Sequence, residues 1–249
     1  MSTVSFSSTY LAAKNKKGNL KPDSNGYYEV VVGGLNVYNS AGQFYTYNES
    51  AELFNNSSFK RRIENGSLYS EVGHPVREPG MTDDQFLDRF LTIRETNISG
   101  HFNKVWLDHD SIKSPEGRPV VAIMAKVKPA GPFGPALKES LDNPDANTAF
   151  SVRGFTKDVN NAGRRDRILK TIITFDWVTE PGISIATKWS SPALESLTDT
   201  EVTKRDFEKL ERKITVNNVS TEARSLFNDL KWVEEEFRFK GSKPTYLKF

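Results

Sequence analysis

TAFSVRGF, residues 148–155, reads as a short strand that carries a hydroxyl and a guanidinium among apolar neighbours. Phe150, Val152 and Phe155 make the flanks apolar. Ser151 and Arg153 share parity, so a period-two strand turns both to one side. Gly154 lets the backbone approach another segment closely or bend away from it. A strand of this kind rarely spends a serine and an arginine without purpose, and Ser151 is a candidate nucleophile. The rest of the chain must then supply a base, a group that orients the base, and an oxyanion site.

A serine needs a base to take its proton, and the chain offers three histidines, His74, His101 and His109. His74 lies in EVGHPV, between a glycine and a proline, a rigid loop edge suited to a side chain that points into a site. An ordinary turn histidine is the competing reading. His101, in SGHFNKVW, reads as a packed or hydrogen-bonded strand histidine. His109, in LDHDS, reads as solvated. No histidine follows Ser151, so the orienting group is a later carboxylate, or His101. Asp176 stands out in TIITFDWVTEPG, because an acid among such apolar bulk is usually paired. Glu180, beside Pro181, is the alternative. Arg153 and the amides near Gly154 are the oxyanion candidates, with Arg164 and Arg165 as second choice.

Outward from these residues the pattern is mixed. Gly26 to Tyr47 reads as a hairpin or small meander, Glu49–Ile63 as a helix, and Ser67–Val72 as a short strand. Thr82–Ile93 is the best-signalled helix, with Thr82 and Gln85 in a capping-box pattern and Phe86, Leu87, Phe90 and Leu91 on one face. Ile98–Asp108 and Pro119–Lys128 read as strands, Pro135–Leu141 as a short helix. DVNNAGRRDR, from Asp158, reads as a loop before the strand Ile168–Val178, and Ile183–Thr187 as one more strand. Thr198–Ile214 and Ser220–Phe239 read as charged amphipathic helices. The expected organisation is a flexible arm over residues 1–25, a body over 26–190 and a helical extension over 191–249.

Composition narrows the chemistry. The 249 residues can bury a core unaided. There is no cysteine, which excludes disulfides, thiolate metal sites and a cysteine nucleophile. No histidine spacing suggests a metal site, and no cofactor is expected. The 34 Lys+Arg nearly balance the 32 Asp+Glu. The basic clusters at Lys14–Lys17 and Lys60–Arg62 are short, so no nucleic-acid partner is expected. No apolar run is long enough to span a bilayer, and the reading is of a soluble chain in the cytoplasm.

Three stretches in order, SEVGHPVREPG, FSVRGF and FDWVTEPG, resemble the motifs of the prohead core proteases of T-even and giant tailed bacteriophages. The resemblance covers roughly residues 60–190. It aligns His74 with the family's motif histidine, Ser151 with its serine, Arg153 and Gly154 with the following Arg-Gly, and Asp176 with its late aspartate. Two departures stand out: Val72-Gly73 precedes His74 where the family often has a Gly-Glu-Leu lead, and Phe150-Ser151-Val152 carries one serine where many members have two. The resemblance implies an α+β fold, an assemblin-like β-barrel wrapped by helices, with a C-terminal helical extension. It implies a serine endopeptidase inside the prohead, in the host cytoplasm, that cleaves scaffold and core proteins and the major capsid protein. It further implies cleavage after glutamate, synthesis as a self-processing zymogen, and a homodimer as one form. Glu222 and Glu195 are the candidate autocleavage positions. The alternative function is an inactive capsid or scaffold component on the same fold.

Overall fold

The computed structural model describes residues 3–12, 20–39, 42–55, 57–110, 119–143, 145–179 and 200–216, and five positions between 224 and 232. Among the described residues, ten strands and four α-helices make a mixed α+β fold. The strands are β1 (Thr3–Ala12), β2 (Tyr28–Leu35), β3 (Val37–Tyr38), β4 (Phe44–Tyr45), β5 (Tyr69–Glu71), β6 (Ile98–Asp108), β7 (Val121–Pro129), β8 (Ala149–Asn161), β9 (Arg164–Val178) and β10 (Thr200–Thr203). The helices are α1 (Ser57–Glu64), α2 (Asp83–Leu91), α3 (Gly134–Asp142) and α4 (Lys204–Val216).

Two sheets form. One runs β10-β1-β8-β9-β4-β3 and the other β2-β7-β6-β5. They touch where Val72, just past β5, bridges Trp177 of β9, and there the Gly73 N–H donates to the Trp177 carbonyl at 2.7 Å. The main core lies between the sheets. It takes Val30 and Val32 from β2, Phe102 from β6, Val127 from β7, Phe150 and Val152 from β8, and Phe175 from β9. Each such buried side chain contributes roughly 1.5–3 kcal/mol. A second core covers the outer face of β8 and β9. There Phe86, Leu87 and Phe90 of α2 meet Phe155 and Ile173, with Leu210 and Ile214 of α4 and Phe227 and Leu230 beyond it.

Several expectations change. Residues 3–12, read as part of a flexible arm, form β1, paired to β8 on one side and β10 on the other. Ser/Thr alternation in this segment hid a strand whose partners are distant in sequence. The helix expected over Glu49–Ile63 is a 3-10 turn at Ala51–Asn55 followed by α1. The polar stretch from Asp158 is not a loop but the end of a long β8–β9 hairpin. Ala162 and Gly163 both take positive φ, 47° and 86°, as a two-residue turn between twisted strands requires. Asp158 holds both Arg165 and Arg167 of the facing strand there, which lets a charged sequence stay in the sheet. Thr200–Thr203 is strand rather than the start of a helix. On α2 the Thr82 N–H donates to Gln85 Oε1 at 3.0 Å, as the capping pattern predicts.

Candidate active site

The hairpin β8–β9 sets the geometry. Its register places Ser151 directly opposite Asp176. Because residues two apart share a face, Ser151, Arg153, Thr174 and Asp176 line one side of the ribbon, while Phe150, Val152 and Phe175 enter the main core on the other. A bulge between Arg153 and Gly154 ends this regular run. Gly154 is there for close approach: a Cβ on it would lie 2.2 Å from the Thr171 carbonyl oxygen.

His74 arrives from the other sheet. The chain leaves β5, bridges Trp177, and turns at Gly73, whose φ of 68° suits glycine. That turn sets the imidazole over the Ser151–Asp176 pair. His74 Nδ1 lies 2.8 Å from Asp176 Oδ2 and Nε2 lies 2.5 Å from Ser151 Oγ. An ionised carboxylate only accepts, so the ring hydrogen is assigned to Nδ1 and Nε2 accepts the serine O–H. The imidazole is 10% exposed and Asp176 is fully buried, as is Ser151. The three residues therefore form one hydrogen-bonded chain of hydroxyl, imidazole and carboxylate, with the hydroxyl covered and the imidazole only slightly exposed.

Behind Asp176 lies a closed ionic cluster. Arg153 donates from Nε to Asp176 Oδ2 at 2.8 Å and from Nη2 to Asp176 Oδ1 at 2.6 Å. The same Nη2 reaches Glu71 Oε2 at 2.9 Å. Glu71 in turn accepts from both terminal nitrogens of Arg89, at 3.2 and 2.6 Å, and from the Arg94 N–H. Burial alone would raise the Asp176 carboxyl, but the Arg153 guanidinium and the His74 hydrogen bond outweigh it and hold it below the usual carboxylate range. Burial pulls the Arg153 guanidinium down, and the two carboxylates overcome that. An isolated buried ion would cost several kcal/mol, so the mutual pairing is what makes the cluster tolerable.

The candidates named from sequence separate accordingly. His74, Ser151 and Asp176 come together. His101 does not join them: its Nε2 donates to the Gly66 carbonyl at 3.0 Å, its Nδ1 meets the Tyr27 hydroxyl at 3.1 Å, and burial lowers its proton affinity. His109 packs edge-on against Tyr47, with ring centroids 5.1 Å apart. Arg153 is not placed as an oxyanion donor, because its guanidinium is spent on Asp176, Glu71 and the Phe90 and Thr92 carbonyls. Arg164 and Arg165 sit at the far end of the hairpin, held by Asp166 and Asp158. Glu180, Glu195 and Glu222 lie outside the described residues.

A model of the Peptidase S80 family matches residues 6–232. The chain belongs to the peptidase S80 family. The capsid maturation protease of Pseudomonas phage phiKZ is 37% identical over 201 residues, covering 79% of this chain and 73% of that protein. The resemblance to phage prohead proteases read from the three motifs is thereby shown. Among solved structures, the bacteriophage T4 capsid assembly protease aligns with 72% of this chain and 99% of its own, at 13% identity and a TM-score of 0.49.

For this S80 peptidase the sequence reading missed Glu71 and Arg89. Glu71 ends a short strand between Ser70 and Val72, without the apolar bulk on both sides that marked Asp176 as a paired acid. Arg89 gave no signal either. It sits at the edge of the apolar face of α2, and only its partner explains its burial.

Proposed function

We propose that this chain is a serine endopeptidase of the prohead type, with His74 as general base, Ser151 as nucleophile and Asp176 as the group that orients the imidazole. The observation that carries the reading is the pair of hydrogen bonds from one imidazole, to Asp176 at 2.8 Å and to Ser151 at 2.5 Å. Ser151 Oγ attacks the scissile carbonyl carbon while His74 Nε2 takes its proton. Asp176 stays ionised and stabilises the imidazolium that forms. The tetrahedral intermediate collapses as His74 returns the proton to the leaving amine, giving an acyl-enzyme. A water, deprotonated by His74, then releases the acid and restores Ser151. With Arg153 engaged elsewhere, backbone amides near Ser151 are the oxyanion donors in this reading. Such donors contribute about 3 kcal/mol each.

The capsid-maturation role of the phiKZ relative and the motif resemblance supply the setting. The substrates are scaffold and core proteins and the major capsid protein, cut after glutamate, inside the prohead in the host cytoplasm. Among the described residues no helix is long and apolar enough to cross a membrane. The complete burial of Ser151 supports synthesis as a zymogen, since a covered nucleophile must be uncovered before a substrate chain reaches it. Two sheets enclosing a core and flanked by helices support the assemblin-like architecture, and with it a homodimer as one form. In the test, wild type and Ser151→Ala are incubated with scaffold protein and the new termini are sequenced. The expected result is cleavage after glutamate by wild type only. Equal processing by both would remove Ser151 from the mechanism.

A further inference from the structure

The buried ionic cluster behind Asp176 is larger than orientation of one carboxylate needs. Asp176 accepts two bonds from Arg153, one from His74 and a longer one, at 3.4 Å, from the Glu71 N–H. Arg153 is held in turn by Glu71, and Glu71 by Arg89 on a separate helix. Four side chains from β5, α2, β8 and β9 thus converge with almost no contact with water. Two carboxylates face two guanidiniums, so the cluster is neutral while the imidazole is neutral.

We propose that Arg153 is a positioning residue for this peptidase, clamped by Glu71 and Arg89 so that it fixes the Asp176 carboxylate against His74. The inference rests on the serine-peptidase reading of the site. Its geometry follows from the fork of the guanidinium. Nε and Nη2 engage both Asp176 oxygens, which leaves the carboxylate one plane in which Oδ2 can also accept the Nδ1–H.

Other charged side chains among the described residues have partners of their own. Arg62 of α1 donates to the Ile172 and Ile173 carbonyls of β9. On the solvent side of α2, Asp83 pairs with Arg77 and Asp88 with Lys213. Glu78 pairs with Arg94, both exposed.

The test reads the Nδ1–H proton of His74, held by Asp176, by NMR of histidine-labelled full chain, together with the rate at which an alkyl fluorophosphonate labels Ser151. Arg153→Lys keeps the charge and loses the fork, so the Nδ1–H signal shifts or broadens and the labelling rate falls about tenfold or more. Glu71→Gln loosens the clamp on Arg153 and lowers the rate in the same direction by less. Unchanged His101 and His109 signals report that a variant is folded. If Arg153→Lys does not fold, Glu71→Gln alone carries the test. An unchanged Nδ1–H signal and labelling rate in the folded variant overturn the inference. Failure of the peptidase reading is distinguishable: the fluorophosphonate would then miss Ser151 in wild type, whatever the His74 signal does.

Discussion

The two faces of the β8–β9 ribbon have nearly the same backbone and opposite chemistry. Phe150, Val152 and Phe175 point into a dry core between the sheets, where Phe102 meets Phe150 and Phe175 edge-on at 5.9 and 5.7 Å. One residue along, Ser151, Arg153 and Asp176 point the other way, into a cluster that holds four buried charges beneath α2. The inner face is stabilised by area and tolerates any apolar shape that fits. The outer face tolerates almost nothing, because each charge there relies on its partner. Strand alternation is what lets one hairpin carry both, and a one-residue slip in register would exchange them.

Adjacent residues on opposite faces give the sharpest break in this comparison. Asp176→Asn is expected to reduce kcat by roughly 10⁴, through loss of the required imidazole tautomer. It also destabilises by about 3–5 kcal/mol, because Arg153 loses its main partner. Phe175→Ala should cost a similar roughly 3–5 kcal/mol of stability and leave kcat of the folded fraction within a few-fold of wild type. Denaturant titration together with kcat on the folded fraction separates the two. If Phe175→Ala abolished turnover in folded protein, the faces would not be independent.

Gly154 marks the bulge at the end of the regular face, and its replacement tests how tightly the two strands are held. Gly154→Ala places a Cβ against the Thr171 carbonyl, a backbone atom that cannot swing away. The expected loss is about 1–3 kcal/mol, read as a lower denaturant midpoint. An unchanged midpoint would mean that the close approach of β8 and β9 is not needed.

The smallest effect is in acid. The Asp176 carboxyl is held below its ordinary value of 3.8, so its contribution to stability is present above that value. It is lost only as pH falls through the lower folded value. The stability gap between wild type and Asp176→Asn is therefore expected to stay constant from pH 7 to about 5 and to narrow below about 4. Urea midpoints across that range check it. A gap that closes already near pH 6 would place the Asp176 carboxyl well above the range given by its contacts.

The inner face was legible in the sequence and the outer face only in part. Alternation in TAFSVRGF put Ser151 and Arg153 on one side, and apolar neighbours marked Asp176 as paired. Those are local signals, and they gave the serine and the acid. The choice of His74 over His101 was not local. Both precede the serine, and the glycine before each carries no information about which sheet faces the hairpin. The role of Arg153 was hidden because an arginine beside a nucleophile suits an oxyanion donor and a buried counter-ion equally well. Only the position of Glu71 and Arg89 separates these. β1 was invisible for a related reason: its Ser- and Thr-rich sequence becomes a strand through pairing with β8 and β10, more than a hundred residues away.

The central claim is that Ser151 is made reactive by His74. The most direct measurement is mass spectrometry of the full chain after reaction with an alkyl fluorophosphonate. The account predicts one covalent adduct, mapped to Ser151, absent in Ser151→Ala and strongly reduced in His74→Ala. An adduct on another residue, or equal labelling of Ser151 with and without the His74 imidazole, would contradict it.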